Sequence, residues 1–160
     1  AARAMARLSL SRLWRVDRLP EQTSLRIEIA SVDQVDGVWP LIAEGVAAAA
    51  LRTGGDTTPE YLWSECRSGR AFLIVVSREK EVLASSVWRF EAWQTGRKFK
   101  CLSLSGRHMS EWIDDLRAFV EKLARVGGAN ALVTEGRIGW GRKYKARILR
   151  QLYEIGLPDG

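Results

Sequence analysis

The chain has one histidine, His108, and two cysteines, Cys66 and Cys101, among its 160 residues. A single imidazole excludes a metal site built from several histidines, and the cysteines belong to no CxxC or Cys/His cluster of the kind that binds zinc. We therefore predict no metal site, and we interpret both cysteines as buried thiols in a reducing compartment. A Ser/His/Asp triad would have to use His108, so we do not expect that type of catalysis.

Long apolar runs are also missing. A polar residue interrupts every run before it reaches the roughly 20 apolar residues that a membrane helix needs, which predicts no membrane insertion. The hydrophobic share of 46%, the charged share of 28% and the seven tryptophans are typical of a packed globular protein. A chain of this length can bury a core of its own, so one domain suffices.

The first 23 residues combine five arginines and only two acids with apolar side chains. The apolar members are Leu8, Leu10, Leu13, Trp14, Val16 and Leu19. We interpret residues 1–23 as a basic amphipathic arm that docks on a partner and that folding does not require. The same composition fits an organellar targeting peptide, and a cloning or start-site artefact is a third interpretation. Residues 24–160 are then the domain.

Hydrophobic periodicity and capping signals predict the order of elements in the domain. The first strand is predicted at 25–30, followed by a helix at 32–50 that starts at a Ser31/Gln34 capping box and is kinked or split at Pro40. The remaining predictions are a short helix from Thr58 to Gly69, strands at 71–77, 82–93 and 98–104, a helix at 110–126, a strand at 131–134, a short helix within 136–146 and a final strand at 149–156. This is an α+β domain with a mixed, mostly antiparallel sheet flanked by helices.

The order over residues 25–157 resembles the fold of the GNAT acetyltransferases. In that family, the acetyl-CoA pyrophosphate binds backbone N–H groups of a Q/R-x-x-G-x-G/A loop before the long helix. Here Arg107 fits the first position, and Ser105, Gly106 and Arg107 are the candidate cofactor contacts. Ser110 and Trp112 occupy the glycine positions, and Glu111 adds negative charge. The resemblance thus implies an eroded cofactor loop, with no cofactor expected unless the chain is an acetyltransferase that uses acetyl-CoA.

An active family member would also need an acid and a base. Tyr144 lies near the position where the resemblance implies a tyrosine that protonates the leaving thiolate. The other interpretation is that Tyr144 packs its helix against the sheet. Glu91, on a predicted strand, could act as a general base through water, although any exposed strand carboxylate would look the same. We expect no catalytic residue if the chain is not an enzyme.

A narrower resemblance lies in residues 135–142. The segment EGRIGWGR is similar to the EGR-x-GW signature of small phage-encoded GNAT-like proteins, and Ser105-Gly106-Arg107 is similar to the basic opening of the long helix in GNAT-like virion proteins of T7-like phages. This resemblance implies an assembly or docking module in a virion or in the cytoplasm of the bacterial host. Its partners would be virion proteins or packaged DNA, and a homo-oligomer within the particle is compatible with it.

A basic run follows the last predicted buried strand. Between residues 137 and 150 the sequence has no acid and six cations, namely Arg137, Arg142, Lys143, Lys145, Arg147 and Arg150. Together with a net charge of +6 and an isoelectric point near 9.7, this run favours an acidic partner. Trp140 could stack on a base, or it could cover the edge of the sheet. Three hypotheses stay open: a degenerate virion docking module, an N-acetyltransferase and a stand-alone nucleic-acid-binding protein.

Overall fold

The computed structural model describes residues 24–136 and 138–157, without the side chains of 138–140, so the arm lies outside the described residues. The strands are β1 (Leu25–Ala30), β2 (Phe72–Arg78), β3 (Glu81–Trp93), β4 (Gly96–Gly106) and β5 (Ala131–Thr134). The helices are α1 (Val35–Arg52), α2 (Pro59–Arg67), α3 (Ile113–Val126) and α4 (Ile138–Tyr144). Single 3₁₀ turns at Val32–Gln34 and Met109–Glu111 precede α1 and α3.

The five strands form one sheet in the order β1-β2-β3-β4-β5, in which every pair is antiparallel except β4 and β5. Because side chains alternate along a strand, β2 can supply both faces of the sheet. Leu73 and Val75 pack with α1 and α2, whereas Ile74 and Val76 pack with α3. Because both of its faces are covered, β2 is a continuous apolar run. The single sheet, mostly antiparallel and flanked by helices, confirms the predicted fold class.

The predicted cap of α2 is present, whereas the Ser31/Gln34 capping box opens the 3₁₀ turn and α1 itself begins at Val35, three residues later than predicted. Gln34 Oε1 accepts a hydrogen bond from the Ser31 amide at 2.9 Å, and Thr58 Oγ1 accepts one from the Tyr61 amide at 3.2 Å. Pro40 lies inside α1, which is one helix, so of the two predicted alternatives, a kink or a split, the split is excluded. Proline removes only one backbone hydrogen bond, and the burial of Ile42, two residues later, favours continuation of the helix.

Helix α3 begins later than its sequence predicts. Ser110, predicted as its cap, lies in the 3₁₀ turn instead, and Ile113 opens the helix. The predicted glycine stop is confirmed, since the Gly127 amide bonds the Leu123 carbonyl at 2.9 Å and Gly128 has φ +75°. A Cβ on Gly127 would lie 1.9 Å from Phe90 Cζ, so this glycine also allows α3 to approach β3.

The predicted final strand at 149–156 is absent. Residues 147–157 have no regular structure, and Leu152, Tyr153 and Ile155 are exposed. Apolar alternation produces a strand only where a neighbour offers a backbone to pair with, and β5 is just four residues long. Among the described residues, no helix is long and apolar enough to cross a membrane.

Candidate functional site

The parallel pairing of β4 and β5 covers only part of β4, because β5 ends at Thr134. Their ladder stops at Cys101 and Thr134, while β4 continues to Gly106. Leu102 is an extra residue in β4, because Cys101 lies opposite Trp88 and Ser103 lies opposite Val87. A bulge of this kind leaves backbone groups out of the ladder. On its other edge, β4 has no described strand beside it beyond Cys101, so that edge can offer backbone N–H and C=O groups to an extended ligand, as it would to another strand.

Two buried serines lie on this part of β4. The hydroxyl of Ser105 is 3.4 Å from that of Ser85 on β3, and it also contacts α1, where a Cβ on Gly45 would lie 2.9 Å from Ser105 Oγ. The hydroxyl of Ser103 is buried and makes no hydrogen bond within the described part of the chain. Ser105, a predicted cofactor contact, is thus occupied by contacts with β3 and α1.

The other two predicted cofactor contacts are likewise engaged with protein. A Cβ on Gly106 would lie 2.5 Å from Ala84 Cβ, so this glycine lets β4 pack closely on β3. The Arg107 amide donates to the Leu83 carbonyl at 3.0 Å. The guanidinium of Arg107 forms an ion pair with Glu81. In the structure, therefore, both Gly106 and Arg107 make contacts that hold the end of β4 against β3.

The loop between β4 and α3 is closed by its own side chains and amides. Trp112 is 1% exposed, and its Nε1 donates to the Arg107 carbonyl at 2.7 Å. The amides of Glu111 and Trp112 bond the carbonyls of His108 and Met109 at 2.9 and 3.2 Å. These two amides are therefore already hydrogen-bonded within the 3₁₀ turn. His108 has φ +55°, a left-handed conformation that lets the chain turn there.

Carboxylates compensate the positive end of α3. Glu111 pairs with Arg78 at 2.7 Å, and Asp114 and Asp115 lie in the first turn of the helix. Acids at this end interact favourably with the helix dipole, which is the same interaction that a bound phosphate would use. A pyrophosphate here would meet three carboxylates, of which Glu111 is paired with Arg78 and Asp114 lies 3.8 Å from Lys143.

Glu91 lies in a network on β3 and has no free carboxylate oxygen. Its Oε1 accepts from Arg89 Nε and Nη2 at 3.0 and 2.9 Å, and its Oε2 accepts from Trp93 Nε1 at 2.9 Å. Burial alone raises the pKa of Glu91, but the hydrogen bonds from Trp93 and Arg89 and the nearby charge of Lys100 outweigh burial and lower it. A general base works best with a pKa close to the working pH, so this shift opposes the predicted role.

The same network joins β3 to α2. Arg89 Nη1 donates to the Tyr61 hydroxyl at 2.7 Å and lies 3.6 Å from the buried carboxylate of Glu65, which Arg70 binds at 2.8 Å. These residues were not predicted from the sequence. The available signal was that Glu65 falls between Leu62 and Cys66 on the buried stripe of α2, where a carboxylate needs a cation.

Tyr144 is the last residue of α4 and packs against the core cluster that includes α3. The Arg117 guanidinium lies 4.5 Å from the centroid of its ring, and Lys143 Nζ lies 5.4 Å away. Its hydroxyl is buried. These contacts agree with a tyrosine that packs α4 against the rest of the domain and is flanked by two cations.

Five of the six cations in the predicted basic run are described, and all five are exposed: Arg142, Lys143, Lys145, Arg147 and Arg150. Lys143 Nζ lies 3.8 Å from Asp114. Arg137 lies outside the described residues, and so does the side chain of Trp140. Glu135 anchors this region, because Arg150 pairs with it at 3.1 Å and Lys100 of β4 lies 3.6 Å away. Arg142 and Lys143 thus lie in the last turn of α4, and the other cations follow it along the chain.

Comparison with known proteins gives the fold and no family assignment. No protein-family model matches the chain, and no curated protein sequence does either. Solved structures do match. An aminoglycoside acetyltransferase from an uncultured soil metagenomic sample is 12% identical with a TM-score of 0.60, covering 86% of this chain and 99% of its own.

Two further acetyltransferase structures are similar to this chain over most of its length. A GCN5-related N-acetyltransferase from Ralstonia eutropha JMP134 is 15% identical with a TM-score of 0.58, covering 85% of this chain and 99% of its own. Glucosamine-6-phosphate N-acetyltransferase from Arabidopsis thaliana is 13% identical with a TM-score of 0.58, covering 82% and 98%. The chain has the fold of the GNAT acetyltransferases.

Proposed function

We propose that this chain uses the GNAT fold as a scaffold for docking and does not transfer acetyl groups. The observation that carries the proposal is the loop before α3, where the buried Trp112 occupies the second glycine position of the family loop and its indole is bonded to the Arg107 carbonyl. Glu111 and its neighbouring acids place negative charge where a pyrophosphate would lie. Binding a pyrophosphate would require the removal of a core side chain and would bring its negative charge close to these carboxylates.

The docking surface is the set of exposed cations Arg142, Lys143, Lys145 and Arg147. Exposed ion pairs contribute little to stability, typically under ~1 kcal/mol, so the fold itself does not need this density of charge. A phosphate backbone or an acidic protein surface would gain from it, because each contact with a phosphate releases counterions. The pairing of Arg150 and Lys100 with Glu135 supports a defined position for this region.

The setting of this function is a phage particle or the cytoplasm of its bacterial host. This part of the proposal rests on the resemblance of residues 135–142 and 105–107 to GNAT-like virion proteins. Mass spectrometry of purified particles from the source tests it, and recovery of the chain only from particle-free lysate contradicts it. A chain that binds DNA yet is absent from particles would support the stand-alone nucleic-acid-binding alternative.

Charge reversal tests the docking surface. Arg142→Glu with Arg147→Glu is expected to weaken binding to duplex DNA and to reduce the slope of log affinity against log salt by about two units. The matched control, Lys80→Glu with Arg52→Glu, makes the same change in net charge elsewhere and is expected to leave that slope unchanged. Circular dichroism checks that both variants fold. Equal affinity of the first variant and the unmodified chain would show that these cations are only a solvated surface.

An acetyl-CoA-dependent N-acetyltransferase is the second candidate, and the stretch of β4 that extends beyond the end of β5 favours it. The free edge of β4 beyond Cys101 could pair with the amide groups of the extended arm of acetyl-CoA. Tyr144 would then serve as the acid. The test is release of free thiol from acetyl-CoA with a panel of amines. Turnover that Tyr144→Phe abolishes would establish this candidate, and the docking proposal expects no turnover above the protein-free rate.

A further inference from the structure

An open cleft lies between α1 and α2. Its volume is 370 Å³, and it is lined by Trp39, Ala43, Ala47, Pro59, Glu60 and Trp63. The Trp63 indole is held at its edge, because Nε1 donates to Asp36 Oδ1 at 2.9 Å. Trp63 is nevertheless 38% exposed. The cleft therefore presents small apolar side chains and indole surface to solvent, with a carboxylate among its lining residues.

The surroundings of the cleft are acidic. Between Val32 and Glu60 the chain has five acids and one arginine. Glu44 follows Ala43 on α1 and is exposed, as is Glu60 at the start of α2. Arg67, which is on α2, is paired with Asp36 at 3.1 Å. A cationic occupant with apolar side chains fits this surface, since a guanidinium can stack on an indole and bond a carboxylate.

Residues 1–23 have that chemistry. They contain five arginines and two acids, interspersed with leucines, a valine and a tryptophan. The leucines could fill the space beside Ala43 and Ala47, while the arginines meet the two indoles and the exposed carboxylates. We infer that residues 1–23 dock into the cleft between α1 and α2 of the same molecule.

The tether favours the same molecule over a second copy. Twenty-three residues can reach up to about 75 Å when extended, whereas a domain of this size has a radius of gyration of roughly 14 Å. The covalent link gives the segment an effective concentration on the order of millimolar at any site that it can reach. Even a weak interaction is then satisfied within one molecule at micromolar protein concentration. This docking is independent of the function of the cations after α4.

The test is cleavage of the full chain by an arginine-specific protease. The rates of cuts after Arg12, Arg15 and Arg18 are followed by mass spectrometry. Docking protects these bonds, so cleavage follows the population of the undocked state. The double variant Glu44→Lys with Glu60→Lys is expected to accelerate these cuts by about tenfold. A rise to 1 M salt should accelerate them in the unmodified chain, because screening weakens attraction between exposed charges.

A matched control reverses two acids away from the cleft, Asp115→Lys with Glu154→Lys, and is expected to leave the cleavage rates unchanged. The salt experiment needs no substitution, so the inference stays testable if a variant fails to fold. Equal rates for the unmodified chain and the cleft variant, or equal acceleration by the control, would overturn the inference. Protection that increases with protein concentration would also overturn it, since the occupant would then be a second copy.

Discussion

The indole Nε1 of Trp112 donates a hydrogen bond to the backbone carbonyl of Arg107 at 2.7 Å, which ties the start of α3 to the end of β4. The indole fills the loop in which GNAT acetyltransferases bind a pyrophosphate, and the hydrogen bond holds the indole there. This pair of residues is therefore the observation on which the proposal of a non-catalytic GNAT fold rests.

The first prediction concerns that bond. Trp112→Phe keeps an aromatic ring in the core but leaves the Arg107 carbonyl without the indole donor. We expect a loss of about 1–2 kcal/mol in the free energy of unfolding, measured by urea titration. Trp63→Phe is the control, because the Trp63 bond to Asp36 is exposed, and a change under ~0.5 kcal/mol is expected. Equal losses in the two variants would contradict the structural role assigned to Trp112.

Glu91 gives a prediction with a defined pH dependence. Because the folded state lowers the pKa of Glu91, its ionised form stabilises the fold above the ordinary pKa of 4.5, and this contribution is lost as the pH falls through the lower folded pKa. Glu91→Gln is expected to be less stable than the unmodified chain at pH 7, with a smaller difference at pH 3. Denaturant titrations at the two pH values measure it.

The control for Glu91 is Glu28→Gln, which alters an exposed carboxylate paired with Arg26 on β1. It is expected to change stability by under ~1 kcal/mol at both pH values. If the difference in the free energy of unfolding between Glu91→Gln and the unmodified chain grew as the pH falls, its pH dependence would have the wrong sign. That result would contradict the network described for Arg89, Glu91 and Trp93.

Two glycines provide opposite expectations for the same substitution. Gly127→Ala places a Cβ 1.9 Å from Phe90 Cζ and is expected to destabilise the fold by about 1–3 kcal/mol. Gly37→Ala lies in α1 with no atom within 4 Å of the new Cβ, and it is expected to stabilise the helix by about 0.5–1 kcal/mol. Thermal unfolding measures both, and a neutral Gly127→Ala would show that α3 does not approach Phe90.

The two thiols should be inert in the folded protein. Burial raises the pKa of Cys66 to about 12, with a further contribution from the charge of Glu65, and burial raises the pKa of Cys101 to about 12 as well. The thiolate is the reactive form, so alkylation at pH 7.5 should proceed only after denaturation. Counting labelled thiols by mass spectrometry with and without guanidinium checks this, and rapid labelling of the folded chain would contradict it.

The elements with a local signal were predictable from sequence. The capping pattern at Thr58, the paired glycines after α3 and the buried run of β2 each determine structure over a few residues, and all three are present. The prediction that both cysteines are buried is confirmed. The fold class follows from the order of such elements.

Features that depend on distant partners were not predictable. The alternation at residues 149–156 looked like a strand, but a strand needs a neighbour that the sequence pattern does not reveal. Glu91 looked like an exposed carboxylate until the structure placed Arg89 and Trp93 on it. The cleft between α1 and α2 depends on how the two helices pack, so the sequence pattern of either helix by itself does not reveal it.

Calorimetric titration of the full chain with acetyl-CoA tests the central claim most directly. We predict no saturable heat at millimolar acetyl-CoA, because Trp112 is part of the core and Glu111, Asp114 and Asp115 compensate the helix end that a pyrophosphate would need. A dissociation constant in the low micromolar range, about −8 kcal/mol, would contradict the account and restore the chain to the acetyltransferases as an enzyme.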